Sequence, residues 1–338
     1  MTLRIAFVGF RHAHIFDLYR RTQEMDDFEV VAACEEDKTA RQTLASSSSV
    51  VVTHDCFDDM LDSVPCDIVA VGDYYAKRGQ LVVRALERGK HVIGDKPLCT
   101  TIAALDRIAA LAHSNQRVVG CMLDLRDAPQ IIGLRRLIGR GDLGEIHAVT
   151  FGGQHPLQLG QRPSWYFEPG KHGGTINDIA IHAFDVIPWI TGLSFAAVAA
   201  ARCWNARVPQ YPCFEDCGQV MLSLDNGGGV LGDVSYLMPD GIGYATPLYW
   251  RMTFWGGAGV AETSYSAREL RVARAGDGKL VDVALPAGNP GGYLRAFLHE
   301  IRRETAEGEL VTSDVLCATR VALTAQLVAD QEESGTLL

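Results

Sequence analysis

Over residues 1–122 short β-branched runs alternate with helix-length amphipathic segments, and this alternation restricts the fold more than any other feature of the chain. Ile5-Ala6-Phe7-Val8 is apolar without interruption, as a strand covered on both faces should be. The pattern then predicts a helix over 14–25, a strand over 28–34 and a helix over 38–47. A strand over 68–71, a helix over 79–88 closed by Gly89, a strand over 91–93, a helix over 102–114 and a strand over 117–120 complete it. Strands separated by helical crossovers run parallel, so this half is expected to be a doubly wound sheet.

Beyond Cys121 the texture changes. Helices are expected over 130–139 and 176–190, after which longer strands take over. Residues 218–224 and 230–237 flank Asp225-Asn226-Gly227-Gly228-Gly229, and 270–273 and 280–285 flank a second Gly-rich turn, both hairpin signals. Helices over 293–305 and 312–332 close the chain, the last capped by Thr312 or Ser313. The expected architecture is α/β: a Rossmann-type doubly wound parallel sheet over residues 1–122, then an α+β domain with a large, mainly antiparallel sheet over 123–338. The second domain would bind substrate and carry oligomer contacts, with its final helix able to pack back on the first.

Charge and cysteine usage narrow the function. The 31 basic residues against 41 acidic ones leave a net charge of −10, which disfavours contact with nucleic acid. The nine cysteines are scattered, and Cys213 and Cys217 have no second Cys or His pair at ligand spacing, so a reducing, cytoplasmic setting and no metal are expected. The strand pattern begins at Leu3, which argues against a signal peptide. The longest apolar stretch, 186–201, is shorter than a bilayer span and broken by Pro188 and Gly192. It reads as a buried helix, a turn and a strand, not a membrane segment.

A strand that ends at Gly9 and turns into a helix is where a pyrophosphate binds. The usual Gly-x-Gly-x-x-Gly is reduced here to Gly9-Phe10-Arg11-His12-Ala13-His14, with Arg11 at the second glycine. Either Arg11 contacts a phosphate oxygen, or the loop is distorted and binds cofactor weakly or not at all. Glu35, roughly 20 residues on, stands where an acidic group meets ribose hydroxyls. With Glu36 it favours NAD over NADP; a solvated acidic loop is the competing reading. His12 and His14, two apart, are expected to diverge on a polar helix start with no carboxylate near them.

Two further segments carry chemistry. Asp95-Lys96-Pro97 follows a buried strand, which pins the lysine at the carboxyl edge of the sheet, and proline permits a cis bond before it. Asp178 and His182, four apart on an apolar helix, share a face and read equally as a buried structural pair or as a functional one.

Together these pieces resemble the Gfo/Idh/MocA family of glucose–fructose oxidoreductase and inositol dehydrogenase. The likeness runs in order through the amino-terminal turn, the acidic end of the second strand, Asp-Lys-Pro in place of Glu-Lys-Pro, the Gly173-Gly174-x-x-x-Asp178-x-x-x-His182 segment, the sheet-rich second half and the closing helices. It implies an NAD-dependent hydride transfer at a secondary hydroxyl or carbonyl of a sugar, sugar acid or cyclitol. His182 would take the hydroxyl proton, Lys96 would stabilise charge on oxygen and Asp178 would position a hydroxyl. Gly9, Phe10, Arg11, His12, Ala13, Glu35, Gly72, Asp73, Asp95 and Lys96 would border the cofactor. Lys96, Arg126, His155, Tyr166, His172, Asp178 and His182 would border the substrate, with Tyr74, Asp124 and Trp165 as further candidates. Arg126 could instead serve interdomain packing, and Trp165 and Tyr166 could be core aromatics. The likeness also implies a homodimer or homotetramer through the second sheet. His172 in place of a glycine, Ala180 in place of another and Arg78 in place of a histidine depart from the family pattern. Alternatives are a non-sugar reductase, an NAD-assisted glycosidase and a non-catalytic nucleotide or metabolite sensor.

Overall fold

The computed structural model describes residues 2–331, so Glu332, expected to end the last helix, lies outside the described residues. The first layer runs β1 (Leu3–Val8), α1 (His14–Gln23), β2 (Phe28–Cys34), α2 (Lys38–Ser47), α3 (Phe57–Ser63), β3 (Ile68–Val71), α4 (Tyr75–Glu87), β4 (His91–Gly94), α5 (Ile102–Asn115) and β5 (Val119–Cys121). All five strands are parallel, in the order β2-β1-β3-β4-β5. The strand order reverses between β1 and β3, and their carboxyl ends form the crevice where ligands of such sheets bind. Ile5, Phe7, Ile68, Val69 and Val71 have no exposed surface. Burying a side chain of this size contributes about 1.5–3 kcal/mol, which is why uninterrupted apolar runs become central strands.

Two local expectations shift. α4 begins at Tyr75, so Gly79 is an interior residue, not a boundary. A Cβ there would stand 3.0 Å from the Cys99 Cβ, so the glycine permits close packing inside the helix. The short α3 carries three aspartates and buries only Phe57, Met60 and Leu61, too few for its periodicity to be read.

The second layer contains a 3₁₀ turn (Asp124–Asp127), α6 (Pro129–Gly139), β6 (Ile146–Pro156), a second 3₁₀ turn (Ser164–Phe167), a π turn (Ile176–Ala180) and α7 (Ile181–Thr191). Then come β7 (Phe195–Trp204), β8 (Cys217–Leu224), β9 (Gly229–Met238), β10 (Arg251–Gly256), β11 (Gly259–Thr263), β12 (Glu269–Arg274), β13 (Val281–Ala284), α8 (Gly292–Arg302) and α9 (Thr312–Gln331). Eight strands form a sheet ordered β13-β12-β11-β10-β6-β9-β8-β7, antiparallel except for the β6–β9 pair. One face is covered by helices; from the other, Met221, Leu231 and Trp255 project into solvent. α9 packs on β7, α7 and the π turn and also reaches α5 and β5 of the first layer. Thr312 does not cap α9 with its hydroxyl, which instead accepts the Val119 N–H at 3.0 Å and ties α9 to β5. No described helix is long and apolar enough to cross a membrane.

Candidate active site

The carboxyl end of β4 delivers Asp95 and Lys96, and the Lys96–Pro97 bond is cis. The Lys96 Nζ donates to Asp178 Oδ1 at 2.7 Å and to the Asp178 carbonyl at 3.0 Å. The helix expected over 176–190 starts as the π turn that carries Asp178 and continues as α7, which carries His182. Gln326 of α9 fixes the start, its Oε1 accepting the Ile176 N–H at 3.0 Å. Gly173 and Gly174 precede the turn with φ of +80° and +96°. A Cβ on either would collide with Thr100 or Gln326, so close approach explains the glycine pair.

Lys96, Asp178 and His182 line one cavity of about 330 Å³, together with His12, His155, Tyr166 and Asp124 among the expected residues. Besides His14 and Leu125, residues that the sequence did not single out for the site also line it: Arg162, Tyr236, Tyr244, Tyr249, Trp250 and Tyr265. They come from loops and from β9, where no spacing motif marks them. Tyr236 is the most consequential, because its hydroxyl donates to Asp178 Oδ2 and accepts from His172 Nε2 at 3.2 Å. His172 thus stands behind Asp178 without lining the cavity.

Burial would raise the Asp178 pKa, but Lys96 and His172 outweigh it and hold the carboxyl well below its usual range. Burial, reinforced by Lys96, holds His182 well below the ordinary imidazole value. The neutral His182 ring has an Nδ1 that is buried and without a hydrogen-bond partner, with Asp124 Oδ1 4.0 Å away. A buried polar atom left unpaired is costly and calls for an explanation.

Arg126 packs within the second layer and not between the two layers. Its guanidinium binds Asp185 of α7 through Nε and Nη2 and Asp314 of α9 through Nη1, and it does not line the cavity.

The histidine pair requires a correction. α1 starts only at His14, so His12 lies in the preceding turn and helical spacing does not apply. Both Nδ1 atoms converge on Asp95, at 2.5 Å for His12 and 3.2 Å for His14. The carboxylate comes from a strand more than 80 residues away, out of reach of any local pattern. Their ligand atoms lie within 4.8 Å of one another, but Asp95 already pairs with the buried Arg78 guanidinium at 2.7 Å. Since Asp95 accepts from His12 Nδ1, the neutral ring carries its proton there, and Nε2 accepts from the Tyr166 or Tyr75 hydroxyl.

The dinucleotide loop is also differently employed. Gly9 has φ +77°, and a Cβ on it would stand 2.5 Å from the Asp73 Cβ. A Cβ on Gly72 would meet the Gly9 carbonyl. Both glycines therefore bring the β1 and β3 loops together. Arg11 pairs with Asp73 at 2.7 Å and stacks on Tyr74, and its carbonyl accepts the Trp165 indole N–H at 2.9 Å. Glu35 has no exposed surface. One of its oxygens accepts the Phe10 N–H at 2.7 Å and the other the Asp37 N–H at 2.9 Å, so its carboxylate braces the loop instead of facing a ribose. Ala13 precedes α1 as its cap, with no side-chain contribution. The donor chemistry at this edge, an arginine ahead of a helix N-terminus, suits a diphosphate. In this conformation Asp73 holds the guanidinium, so a diphosphate would compete with that carboxylate for Arg11.

Comparison with known proteins agrees with this architecture. Residues 3–122 match the family model described as oxidoreductase family, NAD-binding Rossmann fold, and residues 131–262 match the GFO/IDH/MocA C-terminal domain. The chain is 25% identical to D-xylose dehydrogenase of Paenarthrobacter nicotinovorans over 205 residues, 57% of this chain and 53% of that one. Against inositol 2-dehydrogenase 1 of Saccharopolyspora erythraea it is 25% identical over 248 residues, 72% and 70% of the two chains. The chain spans about half the length of several of the curated relatives it matches. Levoglucosan dehydrogenase, solved in complex with NADH and L-sorbose, superposes with a TM-score of 0.80 over 98% of both chains at 17% identity, a likeness of fold. With both halves matched in order, the chain belongs to the GFO/IDH/MocA oxidoreductase family and carries that family's NAD-binding Rossmann fold.

Proposed function

We propose that this chain is an NAD-dependent dehydrogenase acting on a secondary hydroxyl of a sugar, sugar acid or cyclitol, with residues 1–122 serving the cofactor and 123–338 the substrate. The observation that carries the reading is the neutral His182 ring, which lines one small cavity with Lys96 and Asp178. Bound NAD would supply the two-electron acceptor. A substrate hydroxyl beside His182 gives its proton to the unprotonated nitrogen of the imidazole as its carbon loses hydride and the C–O bond becomes a carbonyl. Lys96 has spent two of its three N–H groups on Asp178, and the third serves the oxygen on which charge develops. Asp178, held by Lys96 and Tyr236, keeps that ammonium in place. His155, Tyr166 and the surrounding tyrosines offer hydroxyls and ring nitrogens suited to a polyol. Arg11 and the backbone N–H groups before α1 would hold the diphosphate, and the acidic edge of β2 favours NAD over NADP. Self-association through the open face of the second sheet, as a dimer or tetramer, belongs to this reading, as does a cytoplasmic setting.

The test is NAD reduction followed at 340 nm across a panel of aldoses, aldonic acids and cyclitols. Lys96→Ala and His182→Ala should each lower kcat/KM by about 10²-fold or more on whichever substrate is turned over. A panel that the protein binds without ever reducing NAD would sink the proposal. The Arg11–Asp73 pair and the Trp165 contact favour a second reading, a sensor whose dinucleotide crevice stays closed. In that case polyol binding would survive both substitutions unchanged.

A further inference from the structure

A second cavity, of about 740 Å³, lies between α6, α8 and the carboxyl end of α7, and it shares no lining residue with the candidate active site. The two back onto each other across the 3₁₀ turn, with Asp124 and Leu125 facing one and Arg126 and Asp127 the other. Its walls are rich in guanidinium groups. Arg126 is neutralised by Asp185 and Asp314, but Arg135 and Arg136 have no hydrogen-bond or ion-pair partner among the described residues, and Arg295 donates only to uncharged oxygens of Pro290 and Asn289.

Arg135 is held by packing in place of an anion. Its guanidinium lies 4.3 Å from the Trp189 ring centre, and Trp189 is anchored by its indole N–H on the Gly308 carbonyl at 2.7 Å. Gly308, at φ +81°, has no side chain to displace the guanidinium, with which a Cβ would collide. Burial and the neighbouring Arg126 both pull the Arg135 pKa down, and the Glu307 carboxylate acts only from beyond ion-pair reach. Two carboxylates also line the cavity, but Asp127 accepts the Gly292 N–H and Glu309 pairs with His299, and neither stands within ion-pair distance of Arg135, Arg136 or Arg295. A cation fixed by its packing, with its hydrogen-bonding edge unspent, is the arrangement that binds oxyanions in two-pronged fashion.

We propose that this cavity is a binding site for a compact polyanion of the phosphate or pyrophosphate kind, gripped by Arg135, Arg136 and Arg295 and separate from the active site. Because Arg126 joins the cavity wall to Asp185, one helical turn beyond His182, an occupant here would sit one residue from the helix that carries the base.

Calorimetric titration of the full chain with inorganic pyrophosphate, at constant ionic strength, tests the site. Binding should be saturable and near one equivalent, and Arg135→Gln should weaken it about tenfold or more. Arg136→Gln, on the exposed rim and free of the Trp189 stack, should weaken it several-fold without altering the melting temperature of the unliganded protein. Arg11→Ala should leave it unchanged. Absence of saturable heat, or binding lost in Arg11→Ala and kept in both other variants, overturns the proposal, since the latter would place pyrophosphate at the dinucleotide loop.

Discussion

Glu35 shows what a single side chain can be asked to do by its surroundings. A carboxylate with no exposed surface and both oxygens on backbone N–H groups of the β1 and β2 loops is a brace, and removing an acceptor there leaves a donor stranded. Burial raises its pKa, and the Phe10 and Asp37 N–H groups work against that rise, so the charge is tolerated only because those two donors are in place. Glu35→Gln turns one oxygen into an amide nitrogen that faces an N–H, and it should destabilise the protein by about 1–3 kcal/mol in urea unfolding. The preference for NAD over NADP should stay as it is; a variant of unchanged stability that gains NADP would restore the ribose role. The spacing from Gly9 to Glu35 places an acid at the right strand end but says nothing of which way it turns. The same limit hides the convergence of His12 and His14 on Asp95. By contrast, Lys96, Asp178 and His182 are legible as candidates because each sits in a local pattern, whereas Tyr236 and Arg162 sit in none.

At the scale of elements, the proposed chemistry rests on how the segment 173–191 is started. Gly173 and Gly174 let Thr100 and Gln326 approach the backbone, and Gln326 then satisfies the Ile176 N–H that opens the π turn. Gln326 comes from α9, so the end of the chain caps the element that carries Asp178 and His182. Gln326→Ala removes a cap worth about 0.5–2 kcal/mol. It should lower the melting temperature modestly and reduce kcat more than it raises KM, because it loosens the groups around the reacting oxygen and not the cavity walls. Steady-state kinetics beside a thermal melt will separate the two effects, and a KM change at constant kcat would contradict the coupling. The glycine pair is visible in the sequence; its reason is not, since the residues that need the space are about 75 and 150 positions away. π turns gather at functional sites, and helical periodicity alone cannot distinguish one from a regular start.

For the molecule as a whole, the parallel sheet is readable from alternation because each crossover is local. The eight-stranded sheet is less so: β6 contains Gly152, Gly153 and Pro156, which mask a strand, and it joins β9 in parallel across about 80 residues. That sheet leaves one face without a covering of helices. Met221, Leu231 and Trp255 are 50%, 54% and 52% exposed on its strands, and apolar surface left on one face of a sheet in this way favours a second copy related by a twofold axis. Stable pairs of this kind bury on the order of 1,200–2,000 Å², which a sheet of eight strands can supply. The wild-type chain should therefore sediment as a dimer or tetramer at micromolar concentration. Leu231→Glu, which introduces a charge at the middle of the face without touching the active-site cavity, should shift it to monomer while leaving the far-ultraviolet circular dichroism intact. A wild-type protein that sediments as a monomer would mean that the face is tolerated in water, and the argument from exposure would fail.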